Sequence, residues 1–115
     1  MDNTKNDFVE QVRLVTDGRG VDVVLDPVGG DYLDRNVASL AVKGKIVQIG
    51  MMAGAGTFNL GALLPKRASL IGTVLRARPL EEKVTISRRF AAEILPLFDS
   101  GAMKPIIDKR YTLTE

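Results

Sequence analysis

Val21-Asp-Val-Val-Leu-Asp-Pro-Val-Gly-Gly30 decides how this chain is read. An apolar run, residues 21–25, stops at a Pro-Val-Gly-Gly turn, and a new helical pattern opens behind it. A run this apolar predicts a strand covered on both faces, as in parallel sheets. The turn at the carboxyl end of such a strand is where open α/β sheets bind ligands. The same grammar returns at residues 45–50, Lys-Ile-Val-Gln-Ile-Gly.

Working outward from these two strands, residues 4–16 predict a helix, with Phe8, Val12 and Val15 on one face. Thr4 and Asp7 form a capping signal at its start, and Asp17-Gly-Arg-Gly20 stops it. Asp31 is placed to cap a second helix, whose Leu33, Val37, Leu40 and Ala41 share a face and which ends at Lys43-Gly44. After the strand at 45–49, the glycine-rich loop Gly50-Met-Met-Ala-Gly-Ala-Gly-Thr-Phe-Asn59 leads to a helical turn at 60–64, broken by Pro65. A third strand is predicted at 69–75. Residues 80–100 predict a helix with Val84, Phe90, Ala91, Ile94 and Leu95 inward, bent or divided at Pro96. An extended piece follows at 104–112.

Strand, helix, strand, turn, strand, helix predicts the α/β class with right-handed crossovers. In the strand order 3-2-1-4-5-6 of a dinucleotide-binding sheet, these strands take places 4, 5 and 6. The expected fold is thus a parallel Rossmann-type half-sheet, an incomplete domain. No G-x-G-x-x-G precedes Val21, so the phosphate-binding first half is not in this sequence. The strand at 21–25 then becomes an open apolar edge, which predicts a dimer or swapped assembly that covers it.

Composition narrows the function. At 115 residues the chain makes one domain at most, and 45% hydrophobic with 26% charged residues is ordinary for a globular domain. Nothing approaches the ~18 consecutive apolar residues of a membrane helix, and the Met-Asp-Asn-Thr-Lys start has no signal core, so a cytoplasmic location is expected. With neither Cys nor His the usual zinc sites cannot be assembled, so no metal ligand is assigned. A net charge of +2 with few aromatics argues against nucleic acid. No nucleophile elbow, Ser-His or Cys-His pairing or isolated carboxylate pair is present, and no catalytic residue is assigned.

Taken in order, Asp17 through Gly30, then Gly44-Lys-Ile-Val-Gln-Ile-Gly50, then Lys66-Arg-Ala-Ser-Leu-Ile-Gly-Thr73, the chain resembles the C-terminal part of medium-chain dehydrogenase/reductases. Within them it is most similar to the zinc-independent NADPH:quinone oxidoreductases. The resemblance covers essentially the whole chain. It implies that residues 1–115 are the C-terminal portion of a Rossmann-like NADP-binding domain, a fragment lacking the N-terminal catalytic domain.

For the parent enzyme the resemblance implies hydride transfer from NADPH to a quinone or another activated, unsaturated carbonyl compound. It places Val28 and Gly29 beside the adenosine ribose. Ile49, Gly50 and Met51 border the nicotinamide, and Thr73, Val74 and Leu75 offer backbone groups to its carboxamide. The edge of strand 69–75 would join two copies in a homodimer. The fragment alone is expected to show negligible turnover and to bind NADP(H) weakly or undetectably, because the pyrophosphate loop is missing.

Other features read as structural. Gly18-Arg-Gly20 and Gly54-Ala-Gly56 lack the third glycine of a phosphate fingerprint. Lys66, Arg67, Arg76 and Arg78 read as a solvated basic rim rather than a phosphate site. Met51-Met52 reads as packing beneath the loop, with a substrate wall as the alternative. Two further readings of the whole chain stay open: a non-catalytic dimerisation module, and a flavodoxin-like module holding FMN.

Overall fold

A computed structural model describes residues 7–113. The chain divides into two compact units, one ending at Val74 and the other beginning at Leu75.

The first unit is built on three strands: β1 (Val21–Asp26), β2 (Leu40–Gln48) and β3 (Ser69–Gly72). They form one sheet in the order β1-β2-β3, with both pairings parallel. This is the arrangement expected of strands 4, 5 and 6. Helices α1 (Phe8–Val15), α2 (Tyr32–Ser39) and the short α3 (Leu63–Lys66), which follows a 3-10 turn at Leu60–Ala62, complete the unit.

The core lies where β2 meets α2. Ile46, Leu40 and Val37 are buried, with Val24, Leu33, Phe58 and Leu63 packed around them. Full burial of each such side chain contributes about 1.5–3 kcal/mol. Only this side of β1 is covered. Val23 and Leu25, which alternate to the opposite face, are 59% and 63% exposed. The two-sided burial expected of strand 21–25 is therefore one-sided.

Several boundaries differ from expectation for identifiable reasons. The second helix stops at Ser39 instead of running to Lys43, and Leu40 and Ala41 belong to β2. Leu40 is already extended and paired with Val21, and Lys66 satisfies the carbonyls left at this stop: its Nζ donates to those of Ala38 (2.8 Å) and Leu40 (2.5 Å). Beyond it the register of β1 against β2 jumps from Val21↔Leu40 to Val23↔Lys45, a bulge in which Lys43 takes a left-handed φ of 65°.

Pro65 does not break the helical turn. It sits within the first turn of α3, where a backbone N–H is not needed, and the helix ends at left-handed Arg67. Strand β3 ends at Gly72, not Leu75, because β2 itself ends at Gln48 and the ladder closes with one further bond, Thr73 N–H to the Gln48 carbonyl at 2.9 Å.

At the start of α1, Asp7 caps the helix by accepting from the Val9 N–H at 3.0 Å. Thr4, the other half of the expected capping signal, lies outside the described residues. Asp31 precedes α2 but makes no side-chain capping bond.

The second unit contains α4 (Leu80–Glu93) and α5 (Leu95–Asp99). The division expected at Pro96 falls at Ile94, which leaves Pro96 in the first turn of α5. The expected inward face is not buried: Val84, Phe90 and Leu95 are 38%, 48% and 46% exposed. Among the described residues of its unit the one other helix is α5, and five residues of helix cannot cover fourteen. No strand forms among residues 104–112.

Candidate functional site

The carboxyl ends of the three strands fall in one row, because Asp26 pairs with Gln48 and Gln48 with Gly72. The turns that follow β1 and β2 therefore leave the sheet side by side.

Asp26 shapes the first turn. Its buried carboxylate accepts through Oδ1 from the N–H groups of Val28 (2.6 Å) and Gly29 (2.9 Å), and through Oδ2 from the Asn36 side-chain amide (2.8 Å). An aspartate before Pro-x-Gly bonds its own backbone in this way, folding the chain back at the strand end. Gly29 has φ +68°, and a Cβ there would lie 2.7 Å from the Met51 sulfur. Glycine adopts this left-handed φ without strain, and its missing Cβ leaves the space that the Met51 side chain occupies.

The second turn is bonded to the first along its length. Ile49 N–H donates to the Asp26 carbonyl (2.9 Å), Met52 N–H to the Pro27 carbonyl (3.2 Å) and Ala53 N–H to the Val28 carbonyl (2.9 Å). Gln48 adds a side-chain tie: Nε2 donates to the carbonyls of Asp26 (3.1 Å) and Gly50 (2.6 Å). The glycine-rich loop is then pinned at its far end, where Asn59 N–H donates to the Asp34 carboxylate at 3.0 Å.

Between these turns and the end of β3 lies an open cleft of about 370 Å³, lined by Gly29, Leu33, Gln48, Met51, Leu70 and Gly72 among others. A Cβ added at Gly72 would meet nothing within 4 Å. The cleft thus has room where a side chain would stand.

The residues proposed from sequence distribute unevenly about this cleft. Val28 and Gly29 form the first turn, and Ile49, Gly50 and Met51 form the second, in direct hydrogen-bonded contact with it. Gly29 and Met51 line the cleft. Thr73 and Val74 lie just past β3 rather than in it, tied to the rim through the Thr73 N–H. Leu75 belongs to the second unit and is 60% exposed.

Sequence reading missed Asp26, Asn36 and Gln48 as site-forming residues. The signals were a polar residue inside an apolar strand at Gln48, and an acceptor directly before a Pro-x-Gly turn at Asp26.

Other groups are engaged structurally. Lys66 is not part of a solvated rim: burial, and then the charge of Arg13, push its ammonium below the usual lysine range while it holds the α2 and β2 carbonyls. Arg78 pairs with Glu82 at 3.0 Å. In Gly18-Arg-Gly20, Arg19 forms a two-pronged pair with Asp22 at 2.7 and 2.8 Å. A second cavity of about 350 Å³ runs along the β1 edge, lined by Phe8, Val12, Val23, Leu25 and Tyr32. Among the described residues no group of three or more His, Cys, Asp or Glu is placed to hold a metal ion, and no helix is long and apolar enough to cross a membrane.

Residues 1–92 match the zinc-binding dehydrogenase family. An NAD-dependent alcohol dehydrogenase of Sulfolobus acidocaldarius is 33% identical over 108 residues, covering 92% of this chain and 28% of that protein. A quinone oxidoreductase-like protein 2 homolog of Nematostella vectensis is 27% identical over 115 residues, covering 98% of this chain and 31% of that protein. The crystal structure of Escherichia coli quinone oxidoreductase complexed with NADPH superposes with a TM-score of 0.71 at 30% identity, over 93% of this chain and 33% of that one. The chain spans about a third or less of the length of these relatives. By the family match, the parallel half-sheet and the aligned strand ends, this chain belongs to the zinc-binding dehydrogenase family of oxidoreductases and corresponds to the C-terminal part of the medium-chain dehydrogenase/reductase superfamily.

Proposed function

We propose that residues 1–115 form the C-terminal portion of an NADP(H)-binding domain in an oxidoreductase that reduces a quinone or an activated enone. The observation that carries this reading is the common row of Asp26, Gln48 and Gly72, which brings Val28-Gly29 and Ile49-Gly50-Met51 to one rim of a parallel sheet. In open α/β sheets ligands bind outside the carboxyl ends of such strands.

An open, apolar cleft beside these turns supports a place for the ring end of a dinucleotide. Gly72 leaves open space where a Cβ would stand, and the walls of the cleft are apolar around a single amide. Val28 and Gly29 would border the ribose, and Ile49, Gly50 and Met51 the nicotinamide. Thr73 and Val74 would offer backbone groups to the carboxamide. When bound, the nicotinamide supplies the hydride. This segment's own part is to orient the ring by backbone contacts and to exclude water with Leu33, Met51 and Leu70. With no Cys or His in the sequence, it supplies neither thiolate nor imidazole to a zinc ion.

The second reading, a non-catalytic dimerisation module, draws on β3, an end strand whose four residues are all exposed. In the parent enzyme this edge would join two copies.

Amide shift mapping tests the first reading. NADPH added to the isolated chain should bind weakly, without turnover, and perturb the amides of residues 28–29 and 49–51. Gly72→Val, which fills open space without a φ penalty, should abolish those shifts and leave the fold intact. Perturbation at the amino ends of the strands instead, or none at all, overturns the assignment.

A further inference from the structure

Gly29 and Met51 meet where a side chain is missing. A Cβ at Gly29 would lie 2.7 Å from the Met51 sulfur and 3.3 Å from its methyl carbon, so the thioether fills the position that any other residue 29 would claim. Met51 lines the cleft and is still 53% exposed. Its neighbour Met52 is 83% exposed and does not line the cleft. Both thioethers are thus open to a small oxidant, and one of them packs against the first turn.

The donors that border the Met51 sulfur are already engaged. The Gly29 N–H goes to Asp26 Oδ1 at 2.9 Å. Gln48 Nε2, 3.2 Å from the same Cβ position, gives its two hydrogens to the Asp26 and Gly50 carbonyls. A thioether, a weak acceptor, asks nothing of them. A sulfoxide oxygen is a polar acceptor that would find these donors taken, whereas in solvent it is hydrated.

We propose that Met51 is an oxidation site that sets the shape of the cleft: a peroxide converts its thioether to the sulfoxide, and the side chain leaves Gly29 for solvent. The sulfur attacks one peroxide oxygen, and the O–O bond breaks as the S–O bond forms. With hydrogen peroxide, the departing hydroxide takes the proton of the transferred oxygen and becomes water. Sulfur loses two electrons and the peroxide gains them. The bonds of Ile49 to Asp26 and of Ala53 to Val28 join the two turns through backbone alone, so the change is confined to the cleft wall. It is independent of the ligand named above.

The test uses the chain labelled at its methionine methyls, with hydrogen peroxide as the oxidant. In the reduced chain a nuclear Overhauser contact should join the Met51 methyl to the Gly29 α-protons. Peroxide should move the Met51 methyl to the sulfoxide position, abolish that contact and shift the Gly29 amide. Methionine sulfoxide reductases of both epimer specificities should reverse all three changes. Met51→Leu, oxidised at Met52, should keep its Gly29 amide where it stood before peroxide. Met51→Gln, which carries a polar end at similar length, should shift that amide without peroxide.

A Gly29 contact that survives in the sulfoxide overturns the proposal, as does a Met51 that stays reduced while Met52 is oxidised. So does a Gly29 amide that moves as far when peroxide is added to Met51→Leu. Should either variant not fold, the wild-type contact before and after peroxide decides the question.

Discussion

Asn36, on the buried side of α2, donates its side-chain amide to Oδ2 of Asp26 at 2.8 Å, so that a helix and the end of a strand ten residues earlier share one buried carboxylate. The other oxygen of that carboxylate holds the turn amides of Val28 and Gly29. Replacement by alanine would leave three donors without their acceptor. Asp26→Ala should destabilise the chain by about 3 kcal/mol, since each buried unsatisfied group costs about 1–3 kcal/mol. Asp26→Asn, which keeps an acceptor oxygen, should lose less. Urea denaturation measures both, and equal midpoints for Asp26→Ala and wild type would contradict the turn-holding role.

Gly29→Ala combines two penalties. A φ of +68° costs an L-residue about 1–2 kcal/mol, and the new Cβ would also press on the Met51 sulfur at 2.7 Å. The second part is relievable because Met51 is flexible and 53% exposed. In a double-mutant cycle, Met51→Ala should recover part of the loss and leave the backbone part. Full recovery would mean the left-handed conformation carries no strain.

Stability should fall on acidification from about pH 6 to about pH 2, the range that spans carboxylate titration. The Arg35 hydrogen bond, then the Val9 N–H, hold the Asp7 carboxyl below its ordinary value, and Arg19 and Arg89 do the same for Asp22 and Glu93. A carboxyl lowered in the folded state contributes stability above its unfolded value and loses it as pH drops through the folded one. All three groups are exposed, so added salt should shrink the effect. The triple variant Asp7→Asn, Asp22→Asn, Glu93→Gln should show a flatter acid limb in thermal melts, and an unchanged slope would assign the acid loss to other carboxylates.

Ile71 stands 44% exposed on the end strand β3. If that edge joins two copies, Ile71→Asp should convert dimer to monomer in light scattering, since a charge on an edge strand blocks pairing. A wild-type chain that is monomeric throughout would remove the dimerisation reading.

The parallel sheet and its strand order were legible because each strand is a short apolar run closed by glycine, and those runs need only local information. The ends of elements were not. Helix α2 stops at Ser39, where Leu40 joins β1 and Lys66, more than twenty residues away, takes up the freed carbonyls, and β3 stops at Gly72 because its neighbour β2 has ended. Both causes are tertiary and leave no trace in local periodicity. The two turns of the site could be read from their glycines. Asp26, Asn36 and Gln48, which hold those turns, could not be assigned, because their roles depend on which backbone groups the fold brings to them.

The bulge between Val21 and Val23 of β1 and the facing stretch of β2 sits at the far end of the sheet from the cleft. Past it, Lys45 to Gln48 march in step with both neighbours. A residue added between the exposed Val42 and Lys43 would swell a segment that already departs from the ladder, whereas one added after Lys45 would slide Gln48 off its partners and turn its amide to the opposite face. Tolerance to length change is therefore polar along a single strand, forgiving where β2 begins and strict where it ends, and engineered insertions or split points belong at its entrance.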